Sequence, residues 1–415
     1  MSNERSEIFV GFDWATQVHH AWVDDASGNA LGDKAVPHRA EDLASFCDWL
    51  SSLCAGLPSA VRIAIEVPHG SVVETLMDRG FTVYAINPKQ LDRFRDRLTV
   101  CGVKDDRQDA RVLASSLRTD RRAFRELERE DPIVIRLREW SRMREDLQRE
   151  RVLLVNRFRE QLRRYYPQFI DLAEPLGANW TLALWEKVPS ASIARKVRGS
   201  SIQKILKAHR IRKIDASTVL EALRVPGPKV APGAEDASRA HIEMLKERIQ
   251  IVNKQIKIAS KHIEKHLEEL SGKGEDSPGE KGGQRDVEII STMPGIGPII
   301  LATLLVEAWR PLRDREYQAL RALSEIAPVT RRSGKKILVM MRKACNGRLR
   351  NALYHWGRVA IQKDPYTRAK YTKLRARGKT HGQALRSVVD RLLGVLCRML
   401  RDQTDFDPER RQVAA

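Results

Sequence analysis

The stretch that decides the fold lies near the start of this 415-residue chain and reads IFVGFDWA (8–15). It is a short run of β-forming residues closed by Asp13, and runs of this kind bounded by Gly, Pro or Asp are typical of strands. Three comparable runs follow, at 19–28, 61–67 and 81–88. Two segments between them show the apolar spacing of helices, at 41–54 and 71–80. Strands that alternate with helices predict an α/β domain in which helices cover a sheet.

Four acidic residues of this region are candidates for a metal site. Asp13 ends the first strand and Glu66 ends another, while Asp106 and Asp109 lie three residues apart on one face of a predicted helix. Four carboxylates held close together are costly unless a cation such as Mg²⁺ neutralises them. Two ions about 4 Å apart would activate one phosphodiester oxygen and stabilise the leaving one. Each acid alone also fits a turn, a helix cap or a solvated face, and Asp105 competes with Asp106.

The distribution of charge predicts a nucleic-acid partner. Lys and Arg outnumber Asp and Glu by 74 to 54, which gives a net charge of +20. Residues 1–80 are acidic, with a net charge of −7, whereas residues 331–379 hold 16 Lys and Arg against a single acid. A field this positive attracts polyanions, although a solvated basic face without a target is the alternative.

Composition excludes several classes of protein. No run of 18 apolar residues is present, so we expect no membrane contact, and the polar start MSNERSEIF predicts no signal peptide. Five cysteines without a CxxC pair argue against a disulfide framework and a cysteine zinc site, and they fit a reducing cytosol. We interpret the adjacent His19 and His20 as an exposed strand edge rather than a metal site.

The middle of the chain is predicted to form a long coiled-coil arm. Residues 133–163 form a charged helical segment with an apolar stripe, and 242–270 repeat apolar residues every seven positions. At 1.5 Å per residue the second helix would be about 43 Å long. The two helices could pair as an antiparallel hairpin or pair with another protomer. The remaining predicted segments are a helical insert (164–223), two linkers (224–240 and 271–287), a basic, mostly α-helical C-terminal domain (288–402) and a tail (403–415).

Near the start of the C-terminal domain, the sequence PGIGP (294–298) resembles the hairpin of helix-hairpin-helix modules. Gly295 and Gly297 would let backbone N–H groups approach a phosphate at a helix N-terminus, independently of base sequence. An ordinary connection between two helices is an equally good interpretation.

A serine in a basic loop is the second candidate of this domain. Ser333 is flanked by Arg331, Arg332, Gly334, Lys335 and Lys336, and further cations follow at Arg342, Lys343 and Arg348. These cations would bind nucleic-acid phosphates, and those beside Ser333 would stabilise a pentavalent phosphorane. A serine hydroxyl needs such help to act as a nucleophile. From spacing alone, a turn that only contacts phosphate is the simpler interpretation.

Taken in order along the chain, these segments resemble the DEDD insertion-sequence transposases of bacteria, the group also called bridge-RNA-guided recombinases. The resemblance covers most of the chain and is carried by two separated blocks. The first block contains VGFDWA (10–15), AIEVPHG (64–70) and GVKDDRQDARVLASSLRTD (102–120). The second contains MPGIGPIILATLLVE (293–307), APVTRRSGKK (327–336) and RKACNGRLRNALY (342–354).

The resemblance implies a RuvC-type, RNase H-like domain over residues 1–125. The four acids of that family fall on Asp13, Glu66, Asp106 and Asp109, and the family pattern selects Asp106 over Asp105. The C-terminal block is similar to the family's transposase domain, and the resemblance makes Ser333 the nucleophile. The implied cofactor is Mg²⁺, as two ions, with Mn²⁺ as a substitute.

The implied function is that of a DNA transposase guided by a structured non-coding RNA, which cleaves and rejoins DNA through a Ser333 phosphoserine intermediate. Its expected partners are donor and target DNA, the guide RNA and further copies of the chain, as a dimer or an assembled tetramer. Its expected location is the bacterial cytoplasm, at the nucleoid when active. Three alternatives remain: a metal-dependent, Holliday-junction-type endonuclease that uses water as nucleophile, a non-catalytic RNA-binding or scaffolding protein with structural acids, and an RNase H-type enzyme that hydrolyses the RNA strand of hybrids.

Overall fold

The structure is a computed structural model that describes residues 7–54, 56–98, 105–172, 175–231, 233–272, 281–334 and 336–409, with the backbone alone at 97–98 and 281–284. Two units divide the chain between Glu130 and Asp131.

A six-stranded sheet forms the centre of the N-terminal unit. Its strands are β1 (Ile8–Asp13), β2 (Val18–Asp24), β3 (Ala30–Pro37), β4 (Val61–Ile65), β5 (Thr82–Ala85) and β6 (Arg125–Glu126). The order across the sheet is β3-β2-β1-β4-β5-β6, with β1, β4 and β5 parallel and the other pairs antiparallel. The mixed α/β character predicted for this region is confirmed, while β3 and β6 were not predicted.

Helices cover both faces of this sheet. They are α1 (Ala40–Leu53), α2 (Ser71–Asp78), α3 (Pro88–Leu98) and α4 (Asp106–Thr119). Side chains of β1 alternate between the two faces, as the pleat requires. Val10 and Phe12 pack in the core formed with α1 and α2, whereas Phe9 packs in the core that contains Leu113 of α4.

Helix α4 lies directly against β1 because Gly11 has no side chain. A Cβ at Gly11 would overlap the carbonyl oxygen of Ala110 and lie 2.5 Å from the amide nitrogen of Ala114. This close approach brings the first turn of α4 beside the end of β1, where Asp13 lies.

We expect Gly11→Ala to destabilise the N-terminal unit by about 3 kcal/mol or more, because strand and helix backbones would have to separate. Hydrogen exchange of peptides from β1 and α4 in the full chain measures this. Gly347→Ala is the control, since a Cβ there meets nothing within 4 Å. Equal protection in the two variants would contradict the packing described here.

The His19 side chain is buried, so its interpretation as an exposed strand edge was wrong. Strand β3 pairs with β2 on the side away from β1 and covers this position. Nδ1 of His19 accepts a hydrogen bond from the Ala15 N–H (3.0 Å), and Nε2 is bonded to Nδ1 of His38 (2.8 Å). Burial lowers the pKa of His19 to about 4, so the ring is neutral at physiological pH.

Between Asp131 and Leu270, the residues that the structure describes form two long helices with five short ones between them. These helices are α5 (Pro132–Tyr165), α6 (Pro167–Leu172), α7 (Asn179–Lys187), α8 (Ala191–Ala194), α9 (Gly199–Ala208), α10 (Ala216–Arg224) and α11 (Ala234–Leu270). Helices α5 and α11 pack side by side in the same chain and run antiparallel. Trp140 stacks on His262 (4.0 Å between ring centroids), and farther along α5 the Arg151 Nε donates to Oδ1 of Asn253 (2.7 Å).

In the described residues that follow α11, the regular elements are helices apart from one β-hairpin. These elements are α12 (Lys281–Thr292), α13 (Pro298–Glu307), α14 (Trp309–Arg313), α15 (Tyr317–Leu323), β7 (Val329–Ser333), β8 (Lys336–Met340), α16 (Gly347–Lys363), α17 (Pro365–Ala376) and α18 (His381–Asp402). The helices of this part pack around Trp356 and around Leu137 and Ile263 of the long helices. The insert helices pack with the opposite end of the long pair, around Phe158 and Ile249.

Candidate active site

The four predicted acids lie at one edge of the N-terminal sheet. Asp13 is the last residue of β1, and Glu66 directly follows β4. Because β1 and β4 are parallel neighbours, these two carboxylates leave the sheet at the same edge. Asp106 and Asp109 lie in the first turn of α4. Asp105 is the N-cap of that helix and accepts a hydrogen bond from the Arg107 N–H, which gives it a structural role.

Asp13 is half-buried and lies within the electrostatic influence of the other three acids. The pKa of Asp13 is raised to about 7, first by burial and then by the negative charges of Asp109, Asp106 and Glu66. The positive charge of Arg95 acts in the opposite direction but does not cancel the shift. A carboxylate held among three others is an anionic site that favours a cation.

Arg95 is the cation that faces this cluster in the structure. Its Nε donates to Oδ1 of Asp109 (2.5 Å) and its Nη2 donates to Oδ2 (2.7 Å), so both oxygens of a carboxylate that is 4 % exposed are engaged. Nη1 of Arg95 also donates to Asp92 (2.8 Å). Sequence reasoning missed Arg95, because nothing in its local pattern on α3 distinguishes it from its basic neighbours.

The donor set fits a divalent metal, although the side chains are not arranged around one. Carboxylate oxygens are the ligands that Mg²⁺ and Mn²⁺ prefer. Within the described ranges, no three His, Cys, Asp or Glu side chains are placed to hold a metal ion together. The contact between Arg95 and Asp109 explains this arrangement, since a guanidinium occupies the oxygens that would serve as ligands.

Ser333 belongs to the second unit and ends β7, so it lies in a β-hairpin rather than in the loop that we predicted. The turn between β7 and β8 passes through Gly334, whose φ of 54° lies in the left-handed region that suits a two-residue hairpin turn. Lys335 lies outside the described residues. All described residues from Arg331 to Met340 are exposed.

The register of the hairpin divides the basic residues between two faces. Ser333 pairs with Lys336, Arg332 with Ile337 and Arg331 with Leu338. Paired residues share a face, and successive pairs alternate. Ser333, Lys336 and Arg331 therefore share one face, while Arg332 lies on the other.

The remaining candidates for nucleic-acid binding differ in whether their side chains already form hydrogen bonds or ion pairs within the protein. Lys343 is exposed, whereas Arg342 Nε donates to the Ala327 carbonyl (3.4 Å). Arg348 forms ion pairs with Glu145 (2.8 Å) and Asp146 (3.8 Å) of α5.

The two hairpin glycines of PGIGP also differ. Gly295 has a φ of 85° and packs against the backbone of α16, where a Cβ would lie 2.8 Å from the Ala360 amide nitrogen. Gly297 is the N-cap of α13 and has nothing within 4 Å of a built Cβ. Close packing thus explains the first glycine, and the space beside Gly297 leaves room for a ligand.

Two family models match this chain in the order expected from the sequence. The DEDD model of IS110 type, described as a transposase, matches residues 10–167. The model described as the transposase IS116/IS110/IS902 family matches residues 287–372, and the two ranges together cover more than half of the chain. The chain belongs to the IS110 family of transposases. It is therefore a DNA recombinase, and its DEDD family suggests the use of a divalent metal.

Curated relatives of this IS110-family chain are named as transposases or after insertion elements. The putative transposase y4uE of Sinorhizobium fredii is 51% identical over 217 residues, which are 52% of this chain and 60% of that protein. The mini-circle putative transposase for IS117 of Streptomyces coelicolor is 29% identical over 97% of this chain and 96% of its own length. The IS116 44.8 kDa protein of Streptomyces clavuligerus is 27% identical over 98% of both.

One further finding concerns membranes. In the part of the IS110-family chain that the structure describes, none of the helices combines the length and the apolar character needed to span a bilayer.

Proposed function

We propose that this IS110-family transposase cleaves and rejoins DNA strands through a covalent phosphoserine at Ser333, assisted by Asp13, Glu66, Asp106 and Asp109. The observation that carries the proposal is the position of these four acids at one sheet edge, where burial first and then the charges of the other three raise the pKa of Asp13 to about 7. A chain that only scaffolds nucleic acid has no need for so costly a cluster.

The Ser333 hydroxyl attacks the phosphorus of a phosphodiester. The Oγ–P bond forms and the bond from phosphorus to the leaving sugar oxygen breaks. The serine hydroxyl releases its proton to solvent, and the leaving sugar oxygen takes up one proton from solvent. Rejoining reverses these changes when a sugar hydroxyl of another strand attacks the phosphoserine. Arg331 and Lys336 share a hairpin face with Ser333, which supports a role in binding the charged oxygens of the phosphorane.

Asp13, Glu66, Asp106 and Asp109 would hold Mg²⁺, as two ions, or Mn²⁺ in its place. The bound metal supplies Lewis-acid stabilisation of the phosphoryl oxygens. In the structure both carboxylate oxygens of Asp109 accept hydrogen bonds from the planar guanidinium of Arg95, so Arg95 would compete with the metal for Asp109.

A structured RNA from the same element is the proposed guide, and donor and target duplexes are the proposed substrates. The net charge of +20 supports a protein that binds phosphate backbones, while base pairing with the RNA selects the sequence. Recombination of two duplexes requires four strand cleavages, so we propose a dimer that assembles into a tetramer.

Trapping the covalent intermediate tests the proposal. The full chain is mixed with labelled duplex that joins the element's ends to their flanks, with RNA transcribed from the element, and with Mg²⁺ or EDTA. We expect a protein–DNA adduct on denaturing gels in Mg²⁺ alone, with phosphorylated Ser333 in the digested adduct by mass spectrometry. Strand cleavage without an adduct would support the junction endonuclease instead.

Arg95→Gln is expected to tighten Mn²⁺ binding to the full chain about tenfold in the absence of DNA. The change frees both oxygens of Asp109 and removes a competing positive charge, and one hydrogen-bonded ion pair is worth about 1.5–3 kcal/mol. Isothermal titration calorimetry with MnCl₂ gives the Kd.

Arg79→Gln is the matched control for that measurement. Arg79 forms an ion pair with Asp48 of α1 (2.7 Å), so its loss removes the same charge from the other face of the sheet. We expect its Kd to equal that of the wild type. An equal decrease of the Mn²⁺ Kd in both variants would show a general charge effect. An unchanged Kd in Arg95→Gln would show that Arg95 does not compete with the metal.

A further inference from the structure

Eight cations cluster in the insert carried by the two long helices. Between residues 195 and 213 the chain has eight Lys and Arg side chains and no Asp or Glu. This insert patch consists of Arg195, Lys196, Arg198, Lys204, Lys207, Arg210, Arg212 and Lys213. It surrounds α9, which is about 15 Å long.

All eight side chains of the insert patch are exposed, and none forms an ion pair with a described residue. The neighbouring α5 behaves differently, since Arg149 pairs with Glu145 (2.6 Å) and Asp146 (3.1 Å) on its own surface. Eight uncompensated charges repel one another and lower the stability of the insert. An anionic partner would remove that cost.

The insert patch is built on a packed support. Ile202 and Leu206 of α9 are buried in the core shared with the long helices, which turns Lys204 and Lys207 outward. Arg224 braces the preceding turn, because its guanidinium donates to the carbonyl oxygens of Ala194 and Val197 (both 3.1 Å). The cations therefore project from a fixed surface.

The chemistry of the insert patch favours a duplex backbone over unpaired bases. The only aromatic ring between residues 195 and 213 is that of His209, so the patch lacks the series of Phe, Tyr or Trp rings on which successive unpaired bases stack. Lys and Arg side chains bind phosphates regardless of base sequence. The regular phosphate array of a duplex is the anion that eight spaced cations match.

We infer that the insert patch binds the sugar-phosphate backbone of duplex DNA beside the recombination site. This inference rests on the proposed function, which supplies the duplex. Leu137 packs in the C-terminal core and Phe158 in the insert core, so about 30 Å of α5 separates the two. That distance is close to one turn of B-DNA, so a duplex bound by the C-terminal core would meet the insert about one turn farther along.

The triple variant Lys204→Gln, Lys207→Gln, Lys213→Gln tests the inference in the full chain. We expect weaker binding to a 60-base-pair duplex, with the slope of log K against log salt reduced by about 2 to 3. In hydroxyl-radical footprinting, the triple variant should protect about one turn less of the duplex at the edge of the site than the wild type does. Circular dichroism verifies that the helices are intact.

The matched control is Lys254→Gln, Lys257→Gln, Lys261→Gln, which removes the same charge from exposed positions of α11. We expect its slope to change by less than about 1. Equal slopes in the two triple variants would overturn the inference, and so would a loss confined to a structured RNA. Adduct formation by the insert variant at low salt, where DNA saturates it, keeps this test separate from the proposed function.

Discussion

Full-length protein with Ser333→Ala is expected to bind duplex DNA as well as the wild type and to form no covalent adduct. The substitution removes only the Oγ atom of an exposed residue at the end of β7, so folding and the surrounding cations are preserved. If Oγ is the nucleophile, strand cleavage falls by about 10³-fold or more. Denaturing gels and a filter-binding assay on the same preparation separate chemistry from DNA binding.

The same experiment decides between the recombinase and the junction endonuclease. An endonuclease would attack with water at the acidic cluster and use Ser333 only to contact phosphate. Ser333→Ala would then keep strand cleavage within a few-fold of the wild type, and the wild type would show no adduct. Ser333→Cys adds a second readout, because a thiolate nucleophile would leave a phosphothioester that is labile under conditions where phosphoserine survives.

The hairpin offers a matched pair of arginines that refines this prediction. Arg331 shares a face with Ser333, and Arg332 lies on the opposite face. We expect Arg331→Gln to reduce adduct formation about 10- to 100-fold under saturating DNA, and Arg332→Gln to affect mainly DNA binding. Equal loss of adduct in both variants would argue against a face-specific contact.

The N-terminal fold could be predicted from the sequence because apolar side chains on both faces of its central strands form recognisable apolar runs. Val10 and Phe12 face one core and Phe9 the other, so a buried strand shows as an apolar run. Strand β3, which reads ALGDKAVP, gave no such signal because most of its residues are exposed and its backbone pairs with β2 alone. An edge strand is held by hydrogen bonds that any sequence can make.

The positions of the acids could be predicted, but their counter-ion could not. Asp13 ends a strand and Glu66 follows another, and parallel neighbouring strands end at the same edge of a sheet. The strand pattern in the sequence and this rule of topology together predict the edge at which the acids lie. Arg95 reaches Asp109 through the packing of α3 on α4, and Gly11 sets the spacing of β1 and α4. Both depend on tertiary contacts that no spacing in the sequence encodes.

The Ser333 hairpin could not be predicted from the sequence for a different reason. The run ILVM (337–340) is β-forming, yet it lies in a segment dominated by helical patterns and every one of its side chains is exposed. We predicted a loop because a Ser-Gly pair among cations is typical of a turn that contacts phosphate. The register, which places Arg331 and Arg332 on opposite faces, required the structure.

Asp13→Asn is expected to abolish adduct formation and, at the same time, to stabilise the metal-free N-terminal unit at pH 8. The neutral amide removes a carboxylate whose pKa is raised to about 7 by burial and by Asp109, Asp106 and Glu66. Holding that group ionised costs the folded state on the order of 3 kcal/mol. Loss of function combined with gain of stability distinguishes a functional carboxylate from a structural one.

The contribution of Asp13 to the stability of the N-terminal unit should become less favourable as the pH rises. Between about pH 4 and pH 7 the folded state binds more protons at Asp13 than the unfolded state, so this group lowers stability as the pH rises through that window. The stability difference between Asp13→Asn and wild type should therefore be near zero at pH 4, grow through the window and be constant above pH 7. Hydrogen exchange of β1 peptides in EDTA, across this pH range, measures it.

Asp25→Asn is a control that should change the stability of the N-terminal unit in the opposite direction. The pKa of the exposed Asp25 is lowered, chiefly by hydrogen bonds that its carboxylate accepts from Asn29, so removal of its charge should reduce stability at neutral pH. Addition of Mn²⁺ should protect β1 in the wild type and in Asp25→Asn but not in Asp13→Asn. If Asp13→Asn loses protection at pH 8 in EDTA, the carboxylate is a structural partner, and the acidic edge of the sheet is not the metal centre of this transposase.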